Sequence, residues 1–206
     1  MQDPHRHDIM TAVSDDQPDE KRRGNRAQPV TAQILTRAAA TYVTRYATST
    51  THLRRVLQRR VQRATHAGAP VVADAGRLID SLIAKYVAAG VLDDEAFAQR
   101  RAAGLRQRGE SRHRIGQRLA AAGIDREAAR TALAAAEQDS GTEDPEASEL
   151  AAAIRFARRR RLGPFRNGER APFRLRDLAA MGRAGFPLPL ARKVIDAEDP
   201  AQLLDP

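Results

Sequence analysis

The sequence predicts an all-α protein built as three tandem three-helix repeats that form an elongated, curved body, and three observations carry that reading. Aromatic residues are only 4% of the 206 and tryptophan is absent, so a core must come mainly from Ala, Leu, Ile and Val. Such a set suits close-packed helices better than a sandwich or barrel. From Val30 onward apolar residues recur three and four apart, the period of a half-buried helix. The phrase "SRHRIGQRLAAAGIDREAARTAL" from Ser111 also lines up without a gap on "FRLRDLAAMGRAGFPLPLARKVI" from Phe173. Ser49, Ser111 and Phe173 are 62 residues apart (111 − 49 and 173 − 111), which is the mark of stacked units.

In chain order, residues 1–29 mix opposite charges with Pro and Gly and show no hydrophobic period, the signature of a disordered tail. His5 and His7 lie there without the further ligands a metal site needs. Residues 30–90 form the first repeat. After Ser49, Leu53, Val56, Leu57 and Val61 share one helix face, with Arg54, Arg55, Arg59 and Arg60 mostly on the other. Leu78, Ile79, Leu82, Ile83 and Val87 line the next helix, which Gly90 ends. The second repeat, 91–138, runs from a helix carrying Phe97 and Leu105 to Gly109. A short helix from Ser111 to Gly123 carries Ile115 and Leu119, and one opened by Asp125 carries Ala129 and Leu133. An acidic linker with Gly and Pro is expected over 139–147. The third repeat, 148–197, takes Leu150, Ile154 and Phe156 as its first apolar positions, then the loop "GPFRNGERAP" and two short helices around 175–184 and 188–195. Residues 198–206 read as a C-terminal tail. Gly123 falls on Gly185 and Leu119 on Met181, whereas the first copy has Val61 in place of the glycine.

The composition excludes several functional classes. Without cysteine there are no disulfides, thiolate metal sites or thiol nucleophiles. The N-terminus lacks the apolar core of a secretory signal, and no run of eighteen apolar residues could span a membrane, so a soluble cytoplasmic protein is expected. The net charge is +9, and nearly all of the positive charge is arginine, whose fork matches phosphate and carboxylate. An acidic partner follows, either nucleic acid or an acidic protein surface.

"AAGVLDDEAFAQRR", from Ala88, raises the question of a metal or catalytic cluster. Asp93, Asp94 and Glu95 are better explained by the helix they precede. Asp93 is placed to accept free amides, Asp94 and Glu95 meet the positive end of the helix dipole, and Leu92 and Phe97 are spaced as a hydrophobic staple. Successive residues on a helix diverge by about 100°, so the three converge poorly on one ion. No phosphate-cradling glycine loop, zinc-binding helix or nucleophile elbow appears. His52, His66 and His113 read as solvated side chains, and the chain is expected to be neither an enzyme nor dependent on a cofactor. The functional signal lies in the arginine clusters, with Arg54, Arg55, Arg59, Arg106, Arg108, Arg112, Arg114, Arg118, Arg158, Arg159, Arg160 and Arg161 as candidate partner- or DNA-binding residues. Aromatics are not interleaved with them, which argues against base stacking and leaves phosphate or an acidic protein groove.

The central block, with Gly90, Val91, Leu92, Asp93, Asp94, Phe97, Ala98, Gly109, Ile115, Leu119, Gly123, Ile124 and Asp125 in order, resembles the middle repeat of the RecX family of bacterial recombination regulators. "AAAIRFARRRR" and "MGRAGFPLPLARKVI" are similar to its third repeat, and "RYATSTTHLRRVLQRR" is a looser match to its first. The resemblance covers roughly residues 38–197. It implies a non-enzymatic helical modulator in DNA repair and the SOS response, one that binds RecA in the groove of its filament on DNA. The usual effect in that family is inhibition of recombinase, ATPase and coprotease activity. A monomer that contacts the RecA filament and the DNA phosphate backbone, and no membrane, is the expectation. The alternative is a stand-alone helical DNA-binding protein or transcription factor.

Overall fold

The computed structural model describes residues 28–138 and 144–203, and among them every regular element is helical. The only β-type pairing among these residues is an isolated parallel bridge between Val30 and Val71, in which the Val30 amide donates to the Pro70 carbonyl and the Val72 amide to the Val30 carbonyl, at 2.9 and 2.8 Å. The proposed tail and most of the proposed linker, 1–27 and 139–143, lie outside the described residues.

Helices α1 (Ala32–Arg45), α2 (Thr50–His66) and α3 (Ala75–Ala88) enclose a core of Leu35, Leu53, Leu57, Ile79, Leu82, Ile83 and Leu92. Helices α4 (Asp94–Gln107), α5 (Arg112–Ala121) and α6 (Arg126–Gln138) enclose a second, with Leu105, Ile115, Leu119 and Ile124 at its centre. Helices α7 (Pro145–Arg160), α8 (Arg174–Arg183) and α9 (Leu188–Ile195) enclose the third around Ile154, Met181, Phe186 and Val194. Each triad therefore buries its own apolar faces.

Local chemistry sets the boundaries. Thr31, Ser49, Asp93, Ser111 and Asp144 have extended backbones and accept amide hydrogens of the turn that follows them, satisfying donors a helix start otherwise leaves unpaired. At the other end, Gly123 and Gly185 take φ of +83° and +86°, and the next residues, Ile124 and Phe186, return their amides to the carbonyls of Leu119 and Met181 at 3.1 Å. With Val61 in the equivalent position α2 does not stop there, and it runs on to His66.

Several expectations need correction. The helix placed after the acidic linker already starts at Pro145, capped by Asp144, so residues 145–147 are helical. The C-terminal tail is partly built into the fold: a 3-10 turn over Pro200–Leu203 buries Leu203 in the third core. His52 is half-buried and its Nε2 lies 2.9 Å from the Tyr42 hydroxyl. Leu92 belongs to the first core and Phe97 to the second, so the two residues read as a staple anchor neighbouring triads.

Candidate anion-binding cleft

Consecutive triads are joined by a serine contact that recurs at the repeat spacing and by a carboxylate contact to the same turn whose acid does not. The Ser49 hydroxyl donates to the Ala122 carbonyl at 2.5 Å, and the Ser111 hydroxyl to the Ala184 carbonyl at 2.6 Å. Asp94 reaches back to the amide and hydroxyl of Thr50, at 2.8 and 2.6 Å, and Glu149 accepts the Arg112 amide at 3.2 Å. The acidic triplet thus serves two helices: Asp93 caps α4 by accepting the Ala96 amide at 2.9 Å, while Asp94 caps α2 from the next triad. Glu95 is exposed. Sequence spacing revealed the first cap and gave no sign of the second, because Thr50 is 44 residues away.

One candidate residue is not available to a partner. Arg106 is 1% exposed, with its guanidinium 2.6 Å from Glu149, 3.4 Å from Glu137 and 2.8 Å from the Ser148 hydroxyl. Burial among acids at the junction of α4, α6 and α7 makes it a structural ion, so its place in the interface set is corrected. Arg112 is tied to the same acids, donating to both oxygens of Glu137 at 2.5 and 2.6 Å, and that hydrogen bond raises its pKa above the usual guanidinium value. Burial, aided by the charge of Arg106, lowers that of the neighbouring Arg155.

On the first triad Arg54 pairs with Asp80 at 3.0 Å and Arg55 donates to the Ala121 carbonyl at 2.6 Å, whereas Arg59 lies exposed on α2. The remaining candidates gather where the second triad meets the third. There a cleft of about 510 Å³ is lined by Arg114 and Arg118 of α5, Arg159 and Arg160 of α7, Arg166, and Arg176 and Arg183 of α8. Its floor is apolar, with Phe156, Leu162, Ala180 and Ala184, and its carboxylates are Glu110 and Asp177.

Seven arginines against two carboxylates leave the cleft strongly positive. Glu110 engages Arg114 at 3.5 Å and Arg118 at 3.2 Å, while Asp177 engages Arg166 at 2.7 Å and the Gly163 amide at 2.9 Å. Arg160, Arg176 and Arg183 form no ion pair among the described residues. They are exposed and ready to meet an anion. Of the sequence candidates, Arg114, Arg118, Arg159 and Arg160 are brought together in the cleft. Arg108 and Arg158 are exposed outside it, and Arg161 ends α7 with φ +54°.

Sequence reasoning missed Arg166, Arg176 and Arg183. A signal existed for Arg176, which stands one repeat after Arg114. Aromatics do accompany the arginines in space: Arg158 lies over Phe165 at 5.5 Å, Arg159 and Arg160 over Phe156 at 5.9 and 5.8 Å, and Arg166 over Phe173 at 4.3 Å. These rings hold the guanidiniums in place through cation–π attraction. Among the described residues no three His, Asp or Glu side chains are grouped to hold a metal, and no helix is long and apolar enough to cross a membrane.

The family model that matches the chain describes the second three-helix domain of RecX, over residues 93–133, which takes in α4, α5 and most of α6. A protein of Myxococcus xanthus strain DK1622 named "Regulatory protein RecX" is 41% identical over 184 residues, covering 87% of this chain and 95% of that protein. The chain belongs to the RecX family. A second RecX, from Agrobacterium fabrum strain C58, is 32% identical over 114 residues, which is 52% of this chain and 56% of that protein. No solved structure matches the chain. The resemblance in the central block is therefore a family relationship, and the segment that carries it is the second triad together with its joint to the first.

Proposed function

We propose that this RecX-family chain is a non-enzymatic regulator of RecA, acting as a monomer that binds the RecA filament on DNA and inhibits its recombinase, ATPase and coprotease activities. The observation that supports it is the basic cleft between the second and third triads. Arg160, Arg176 and Arg183 there have no acidic partner of their own among the described residues, while Phe156 gives the cleft an apolar base. Such a site meets a surface that carries negative charge, and a filament of protein on DNA offers both carboxylates and phosphates. The triads stack through short polar joints, so the reading places one continuous body along the filament, each triad facing a neighbouring part of it.

Binding separates this reading from its rival. Fluorescently labelled chain titrated with RecA filaments on single-stranded DNA is expected to bind more tightly than to the same DNA alone. Equal or tighter binding to a particular duplex without RecA, with a shallow salt dependence, would instead favour a stand-alone DNA-binding protein.

A further inference from the structure

The first triad carries a charge imbalance that lies apart from the cleft. Between Gln28 and Ala73 the sequence has seven arginines and neither aspartate nor glutamate. Arg54 pairs with Asp80 of α3 at 3.0 Å, and Arg55 is held at the joint by the Ala121 carbonyl at 2.6 Å. Arg59, Arg60 and Arg63 of α2 are exposed and form no ion pair among the described residues.

Helix α2 sets these charges in a row. Arg55, Arg59 and Arg63 stand four apart, so they share one helix face and follow one another at about 6 Å along its axis, with Arg60 beside them. Arg59 and Arg63 each donate through Nε to the carbonyl one turn back, that of Arg55 at 3.3 Å and that of Arg59 at 3.2 Å. These bonds lay the side chains along the helix. With Val56, Gln62, His66 and Ala67, Arg59 and Arg63 line an open trough of about 710 Å³. Like charges one turn apart destabilise a helix, and only Arg63 and His66 lie in the last turn, where positive charge meets the favourable end of the dipole. Helix stability therefore gives no reason for Arg59 and Arg60.

We infer that the face of α2 carrying Arg59, Arg60 and Arg63 is a nucleic-acid surface, which takes the phosphate backbone of DNA without reading its sequence. The surroundings argue for that occupant. No aromatic ring and no carboxylate lines the trough, whereas the cleft between the second and third triads has Phe156 on its floor and Glu110 and Asp177 in its wall. A protein interface is built around an apolar centre, while a phosphate backbone is met by a polar surface dense in positive charge. Without rings the face has no platform for bases, and a row of guanidiniums positions a backbone. The inference goes beyond the RecA reading and stands without it, because it concerns DNA alone.

The test is the affinity of full-length chain for a fluorescently labelled DNA duplex in the absence of RecA, measured by anisotropy at several salt concentrations. The Arg59→Gln, Arg60→Gln, Arg63→Gln triple variant should bind about tenfold more weakly, and its plot of log affinity against log salt should be shallower by about 2–3, close to one phosphate contact for each arginine. The loss should be the same on a second duplex of unrelated sequence. Its melting temperature should equal or exceed that of wild type, since the three side chains are exposed and like charges have been removed. Lysine at the same three positions keeps the charges and should keep most of the slope, which separates lost charge from altered fold. A wild type that does not bind the duplex at low salt, a glutamine variant with wild-type affinity and slope, or a lysine variant as weak as the glutamine one overturns the inference and leaves the RecA reading standing. Strong preference for one duplex also overturns it, in favour of a sequence-reading protein. DNA binding as expected from a chain that leaves RecA ATPase unchanged sinks the RecA reading alone.

Discussion

Replacing Arg106 by methionine should cost this protein more stability than any other arginine substitution. The side chain is 1% exposed and makes its ion pair to Glu149 at 2.6 Å, with Ser148 and Glu137 at 2.8 and 3.4 Å and the Glu110 carbonyl at 3.3 Å. Methionine fills a similar volume, so the cavity left is small and the loss is chiefly electrostatic. The Glu149 side chain, 11% exposed, loses the positive charge that offset its burial, while Glu137 keeps its pair with Arg112. Removing one member of a buried pair costs about 3–5 kcal/mol. At roughly 2–4 °C per kcal/mol for a chain of this size, the melting temperature should fall by about 6–20 °C. Arg106→Lys, which keeps the charge and loses the planar fork, should fall between the two. Thermal unfolding followed by circular dichroism at neutral pH reads the effect. A melting temperature for Arg106→Met within about 2 °C of wild type would refute the claim that this ion holds the second and third triads together.

Other outcomes follow from the same structure. Gly123→Ala forces a side chain onto φ +83° and against Thr51, so it should destabilise by more than the roughly 1 kcal/mol of left-handed strain alone, read as the shift of the urea midpoint. Asp93→Ala removes the α4 cap and should cost about 1 kcal/mol in the same measurement. The Asp196 carboxyl is held below the usual carboxylate range by its hydrogen bond from Arg174, which burial opposes. Its contribution is present above the unfolded carboxylate pKa and lost as pH falls through the lower folded one. An NMR titration should show that pKa rise in Arg174→Gln. Arg160→Gln with Arg176→Gln and Arg183→Gln should flatten the salt dependence of filament binding while leaving the melting temperature near wild type, since all three are exposed.

The helical class was readable because the evidence for it is local. An apolar period, a serine or aspartate before several helices and a glycine after some of them are written within a turn of where they act, as Asp93, Ser111 and Gly123 show. Interactions that cross triads were not readable. Arg106 and Arg112 look alike as members of a basic stretch, and only the fold shows that one is sunk among acids 31 to 43 residues away while the other is part-exposed. The cleft was seen in half, since Arg114, Arg118, Arg159 and Arg160 announced themselves by clustering. Arg166 and Arg183 are spaced singly in the sequence, and the fold alone brings them to the same opening, whereas Arg176 was legible as the repeat of Arg114. Likewise Phe156 sits three and four residues before Arg159 and Arg160, a helical turn that places ring and guanidinium together although no alternating aromatic pattern shows in the sequence.

The most direct test of the central claim is a titration of RecA ATPase on single-stranded DNA with purified wild-type chain and with the Arg160→Gln, Arg176→Gln, Arg183→Gln triple variant. Wild type should depress the ATPase at amounts at or below that of RecA, and the triple variant, folded to the same melting temperature, should need roughly tenfold more to do so. A wild-type chain that leaves the ATPase unchanged at equimolar RecA would contradict the RecA reading, and a triple variant as potent as wild type would remove the cleft from it.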